Sequence, residues 1–162
     1  PKDLAFPLKL YKGMGLKIKK LSNSSYEIYC NKLKPIKKIA TKEFPGYPTD
    51  LQAQLIATQL KSGLKSKVVE NIFENRFIHI PELRRFGANL SIKGKTVTID
   101  KTSNLLGAEV MATDIRASFS LIIAAMMSKG KTVINRIYHL DRGYEDFDLK
   151  LKKCGVNISR KK

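Results

Sequence analysis

Cysteine and histidine are scarce in this 162-residue chain, with two of each. Cys30 and Cys154 lie far apart, and neither has a second cysteine at CxxC spacing. A disulfide framework or a zinc site needs more ligands at tighter spacing, so neither is expected, and no metal site is assigned. A reducing cytoplasm is the natural setting for such a chain. His79 and His139 are equally isolated and read as surface or capping residues. Long apolar runs are absent too: the longest candidate, Leu121 to Met127, falls far short of the roughly 20 residues that span a bilayer. It reads as a buried helix. No signal-peptide pattern opens the chain, which starts at Pro1 without an initiator Met, as an excised or processed piece would.

Acidic residues are also few, 14 against 31 Lys and Arg, for a formal net charge of +17. That balance favours anionic partners such as nucleic acid, anionic lipid or phosphorylated small molecules. Arginine is the minority cation, however, with 7 Arg to 24 Lys, and the lysines are spread through every segment. Specific nucleic-acid readers concentrate Arg and exposed aromatics in one element. A solvated lysine surface is therefore the simpler reading, and attention passes to the arginines. The 43% hydrophobic content is that of an ordinary globular domain.

What is present is an internal repeat. Pro48-Thr49-Asp50-Leu51-Gln52-Ala53 leads through Gly63 and Val68 to Ile72-Phe73 and Arg76. Ala112-Thr113-Asp114-Ile115-Arg116-Ala117 leads through Gly130 and Val133 to Ile137-Tyr138 and Arg142, at an offset of 64 to 68 residues. Leu83 to Gly87 and Leu151 to Gly155 close the two copies with Leu-x-x-x-Gly, and a fainter third copy of the glycine motif sits at Gly13. Self-similarity of this kind marks a repeated supersecondary unit. Thr49 and Thr113 are suited to cap helices, with Asp50 and Asp114 at the positive end of each helix dipole. Ile115 to Met127 is apolar nearly all round and should be buried on most faces. Gly63 and Gly130 should stop the two helices. Lys67–Phe73 and Lys131–Tyr138 read as strands, Pro81–Arg85 and Tyr144–Lys153 as short helices, and Asn89–Ile99 as a hairpin turning at Lys93-Gly94. Apolar helices with strand-rich units repeated around them imply sheets outside and helices inside.

Four segments of the chain resemble the UDP-N-acetylglucosamine enolpyruvyl transferases. They are Phe44 to Gln54, Glu74 to Leu83, Leu106 to Ser118 and Arg136 to Glu145, in the family's order. The first forty-odd residues match only loosely. The resemblance implies an α/β (α+β) fold, an inside-out barrel of βαβαββ units around buried helices. Residues 1–162 would form one partial domain of about two and a half units, with the N-terminal, cysteine-bearing domain lying elsewhere. The implied reaction moves the enolpyruvyl group of phosphoenolpyruvate to the 3′-hydroxyl of UDP-N-acetylglucosamine, the first committed step of peptidoglycan synthesis, in the cytoplasm and without metal or organic cofactor.

By the same resemblance Asp50 takes the proton of the sugar hydroxyl and Arg142 clamps phosphoenolpyruvate; these two are the implied catalytic residues. Ile72 and Phe73 touch UDP-N-acetylglucosamine, Arg76 and Arg116 line the cleft, and Asp114 positions Arg116 or an intermediate. Arg116, one turn into a buried helix, would need an anionic partner. Cys154, before Gly155, is expected as a buried filler, and neither cysteine lies in the family's reactive-cysteine motif. The chain would thus hold part of a site and be inactive alone. Two other readings stand beside this one: a shikimate-pathway enolpyruvyl transferase, or a non-catalytic, RNA-binding βαβαββ protein, with nucleic acid and membrane both disfavoured as partners.

Overall fold

A computed structural model describes residues 2–161. Its elements run α1 (Ala5–Gly13), β1 (Lys17–Lys20), β2 (Tyr26–Tyr29), β3 (Lys38–Ala40), α2 (Gln52–Gln59), β4 (Ser66–Val69), α3 (Ile80–Arg85), β5 (Leu90–Lys93) and β6 (Thr96–Ile99). There follow β7 (Glu109–Met111), α4 (Ile115–Met127), β8 (Val133–Asn135), α5 (Tyr138–Asp141) and α6 (Phe147–Lys153). β3 to β6 is one whole βαβαββ unit. Its sheet has the order β3-β4-β6-β5, with β3 parallel to β4 and the other pairs antiparallel. The α1-β1-β2 segment before it matches the last three elements of such a unit. The segment after it, in which β7 and β8 pair in parallel, matches a unit's opening half. The barrel is not closed among the described residues.

The layering follows from strand alternation. Val97 and Ile99 of β6 and Val68 of β4 are buried, while Lys67 between Ser66 and Val68 points out. The inward set packs on Ile56 and Ala57 of α2, Leu60 directly after it, Leu83 of α3 and Leu121 and Ala124 of α4. Each Val, Leu or Ile side chain in the set contributes about 1.5–3 kcal/mol when fully buried. Helices therefore lie inside and lysines outside. α2, not α4, is the helix buried on most faces: Met126 of α4 is exposed, whereas α2 also packs against the α1 side through Leu55. Gln59, buried on α2, is tolerated because its Oε1 accepts from the Ile36 amide and the Ser66 hydroxyl.

Several local expectations are corrected. The strands end at Val69 and Asn135, short of Phe73 and Tyr138: past Val69 the Ile72 and Phe73 amides bond to the Glu70 side chain instead of a neighbouring strand, and the positive φ at Arg136 belongs to a turn. Gly63 and Gly130 do have positive φ, but α2 and α4 have already ended at Gln59 and Met127. The hairpin turns one residue later than expected, at Gly94-Lys95. The third glycine motif is carried by Gly15, not Gly13: Gly15, Gly87 and Gly155 all have positive φ two residues after a helix end. The residue before each is Met14, Phe86 and Cys154. Met14 and Phe86 are buried, but Cys154 is exposed because no hairpin follows Gly155 among the described residues.

Candidate active site

The site residues follow the carboxyl ends of the parallel strands, where open α/β sheets place their ligand crevices. Asp50 follows β3, Phe73 and Arg76 follow β4, Asp114 and Arg116 follow β7, and Arg142 follows β8. The N-terminal ends of α2 and α4 are thereby brought together, with Asp50 just ahead of one helix and Arg116 in the first turn of the other.

Asp50 is the hub of this cluster. Its Oδ1 accepts from Arg116 Nε in a short contact and from Arg76 Nη1 at 3.4 Å. The Arg76 guanidinium also lies over the Phe73 ring, 4.4 Å from its centroid, so four implied site residues form one chain of contacts. No hydrogen bond reaches Asp50 Oδ2 among the described residues, and the Asp50 side chain is 60% exposed. Arg116 is not buried, as its place on α4 had suggested. It is exposed at the helix start, with Asp50 as its anionic partner.

Asp114 has a different task. Its Oδ1 accepts from the amides of Arg116 and Ala117, both at 2.7 Å, and so caps α4. Thr113 does not cap the helix, and its buried hydroxyl has no partner. Thr49 does not cap α2 either, because a 3-10 turn at Thr49–Leu51 precedes that helix and its hydroxyl is used elsewhere.

That other use is Glu70, which the sequence reading missed. Glu70 is buried, and its carboxylate accepts from the hydroxyls of Thr41 and Thr49, both at 2.8 Å. It also accepts from the amides of Ile72 at 2.9 Å and Phe73 at 3.3 Å. One carboxylate thus ties the Asp50 turn to the Ile72-Phe73 loop. The available signal was an acidic residue ending the β-branched run Lys67-Val68-Val69, with threonines at 41 and 49 to meet it.

Arg142 stands apart from the Asp50 cluster, exposed and without an ion pair among the described residues. Its loop is nonetheless fixed at the same end of the molecule. Gly143 lies so close to α4 that a Cβ there would come within 2.4 Å of Ile115 Cγ2, so only glycine fits without displacement. Tyr144 stacks on Phe119 of α4 at 4.4 Å and shares a hydrogen bond with Gln54 of α2.

His79 is a further departure. It is not a surface residue but is 1% exposed, and neither ring nitrogen has a partner among the described residues. Burial lowers its pKa to about 4, opposed only in part by the negative charge of Asp114. No group of three or more His, Cys, Asp or Glu that could hold a metal occurs among the described residues, and no helix there is long and apolar enough to cross a membrane.

A sheet of βαβαββ topology over interior helices, with Asp and Arg gathered at the strand ends, defines the enolpyruvyl transferase class of fold. The chain belongs to the EPSP synthase (3-phosphoshikimate 1-carboxyvinyltransferase) family, whose model matches residues 2–151. Two curated relatives, both named UDP-N-acetylglucosamine 1-carboxyvinyltransferase, make the likeness more particular. That of Rhodopseudomonas palustris (strain TIE-1) is 57% identical over 122 residues, covering 75% of this chain and 28% of the relative. That of Pelagibacter ubique (strain HTCC1062) is 49% identical over 160 residues, covering 99% of this chain. The chain spans only 38% of that relative's length. Among solved structures, the enolpyruvyl transferase NikO from Streptomyces tendae superposes with a TM-score of 0.83 at 25% identity, covering 96% of this chain and 36% of its own. EPSP synthase from Acinetobacter baumannii shares the fold, with a TM-score of 0.60 at 15% identity over 78% of this chain and 31% of its own.

Proposed function

We propose that this chain supplies part of the active site of a transferase that moves the enolpyruvyl group of phosphoenolpyruvate to the 3′-hydroxyl of UDP-N-acetylglucosamine, in peptidoglycan synthesis in the cytoplasm. The carrying observation is the arrangement at Asp50: two guanidinium groups bind Oδ1, and Oδ2 is left to accept a proton. A general base must reach the hydroxyl it deprotonates, and an exposed carboxylate oxygen with no other partner can do so. The arginines hold the carboxylate in place and supply positive charge where an anionic substrate would lie.

In this reading Asp50 takes the sugar hydroxyl proton and Arg142 binds the anionic groups of phosphoenolpyruvate. Ile72 and Phe73, held by Glu70, present backbone and ring to the UDP-sugar. Arg76 and Arg116 line the cleft, while Asp114 fixes the backbone of Arg116 through the cap. The remaining groups, including the acid that protonates the enol carbon, come from an N-terminal domain outside these residues. No metal or organic cofactor enters the reaction. The family model's own name would favour 3-phosphoshikimate as acceptor, but relatives at 49–57% identity carry the UDP-N-acetylglucosamine name.

The test is Asp50→Ala in the polypeptide that includes the rest of the transferase, with phosphate release as the readout. Turnover should fall about 10²–10⁴-fold with little change in KM for UDP-N-acetylglucosamine, the pattern of a lost general base. Unchanged turnover would remove Asp50 from the chemistry. The 162-residue chain by itself should release no phosphate.

A further inference from the structure

Arg142 lies in a cavity it shares with four acidic residues, Asp141, Glu145, Asp146 and Asp148, together with Arg160. An arginine in such company would ordinarily be neutralised by a neighbour, yet Arg142 has no ion pair among the described residues. Three of the four acids are engaged elsewhere. Arg160 binds Asp141 with both guanidinium nitrogens, Nη1 to Oδ2 at 3.0 Å and Nη2 to Oδ1 at 2.6 Å. The same Nη2 lies 2.9 Å from Asp148 Oδ1. The Arg160 guanidinium is seated over the Phe147 ring, 5.2 Å from its centroid, and Lys150 holds Glu145 at 3.2 Å. Asp146 alone of the four is left without an ion pair among the described residues.

We propose that Arg160 is a positioning residue for anion binding: by occupying Asp141 and Asp148 it keeps Arg142 open to an anionic ligand. This rests on the reading of Arg142 as a phosphoenolpyruvate clamp. Fork-shaped bidentate pairing is what only Arg supplies, and it commits Asp141 to a partner other than the arginine next to it in sequence. The hydrogen bonds from Arg160 hold both aspartates below the usual carboxylate range, so both are charged at neutral pH and would compete for Arg142 if released. The C-terminal segment after α6 thus acts on the anion site without touching the ligand.

Sulfate titrated into the 162-residue chain and followed at the Gly143 amide resonance tests this, because sulfate keeps its charge across neutral pH. Arg142→Ala should abolish the Gly143 response; a response that persists would overturn the clamp reading itself. Arg160→Gln, which keeps a polar side chain but not the charged fork, should weaken sulfate about threefold, the scale of an exposed charge pair. Arg160→Lys should recover only part of the loss. Adding Asp141→Asn and Asp148→Asn to Arg160→Gln should restore the parent affinity, since neither released side chain then carries a charge to compete for Arg142 and Asp146 is the same in every variant. If Arg142→Ala abolishes the response but Arg160→Gln leaves the affinity unchanged, the positioning role alone is overturned. A loss that the two asparagines do not reverse would likewise overturn it, making Arg160 a structural strap.

Discussion

The two copies of the βαβ half-unit place the same Thr-Asp pair at the same point and use it differently. Strand register aligns them: Ala40 pairs with Val69 as Met111 pairs with Asn135. The next residues on the two outer strands of this comparison are Thr41 and Ala112, and on their partners Glu70 and Arg136. In the first copy Glu70 gathers the Thr41 and Thr49 hydroxyls. In the second, Arg136 stands where Glu70 would, Ala112 has no hydroxyl, and the hydroxyl of Thr113 has no partner among the described residues. With no loop carboxylate to organise the turn, Asp114 caps its own helix. Asp50, relieved of capping, turns its carboxylate to two arginines. Which aspartate is left free of its helix is thus defined by what a neighbouring acid does for it, not by its own position in the repeat.

The largest break in this comparison comes from Glu70→Ala. It would take an acceptor from the buried Thr41 hydroxyl, the half-buried Thr49 hydroxyl and the Ile72 and Phe73 amides, each costing about 1–3 kcal/mol if unmet, less whatever water and the Val69 carbonyl restore. A loss of about 3–5 kcal/mol is expected by urea denaturation, a large part of a typical stability of about 5–15 kcal/mol. Glu70→Gln keeps one acceptor oxygen and should cost less. Equal stability of the alanine variant and the parent would mean the network does not organise this loop.

The next effect is one of pH. His79 has a folded pKa near 4, below its unfolded value near 6.5, so the unfolded chain binds the proton first as pH falls. Stability is therefore fully present above about pH 6.5 and is lost as the pH drops toward 4, by about 3 kcal/mol over the whole interval. Thermal melts at steps from pH 7 to 5 isolate this window from carboxylate titration. In His79→Gln the slope across it should vanish; a slope that persists would place the titration elsewhere.

Much of this was readable from residues. The repeat, the span of α4 and the interior helices follow from periodicity, and the grouping of Asp50, Arg76 and Arg116 from the family resemblance. The comparison of copies also explains what was not readable. Self-similarity draws the eye to what two copies share, whereas Glu70 against Arg136 and Thr41 against Ala112 are differences. A threonine beside an aspartate satisfies the pattern of a cap at both sites, and only the third residue decides which of them caps. Cys154 and His79 failed for a related reason. Burial is a property of the elements that arrive from elsewhere in the chain, and neither residue's local sequence names them.

The smallest effects separate the two aspartates directly. Asp114→Ala removes an N-cap that meets two amides, and should cost about 1 kcal/mol, within the usual range for such a loss. Asp50→Ala removes only exposed ion pairs, which contribute roughly 0–1 kcal/mol and are screened by salt. Its expected cost is below about 0.5 kcal/mol in moderate salt, and the small residue of that cost should shrink further as salt is raised. Raising salt should leave the Asp114→Ala deficit in place, because a hydrogen-bonded cap is local and barely screened. Paired urea melts at low and high ionic strength read both numbers. If Asp50→Ala destabilises as much as Asp114→Ala and does so independently of salt, then Asp50 is a structural cap after all. The distinction between the two copies would then fail at the residue on which the proposed chemistry depends.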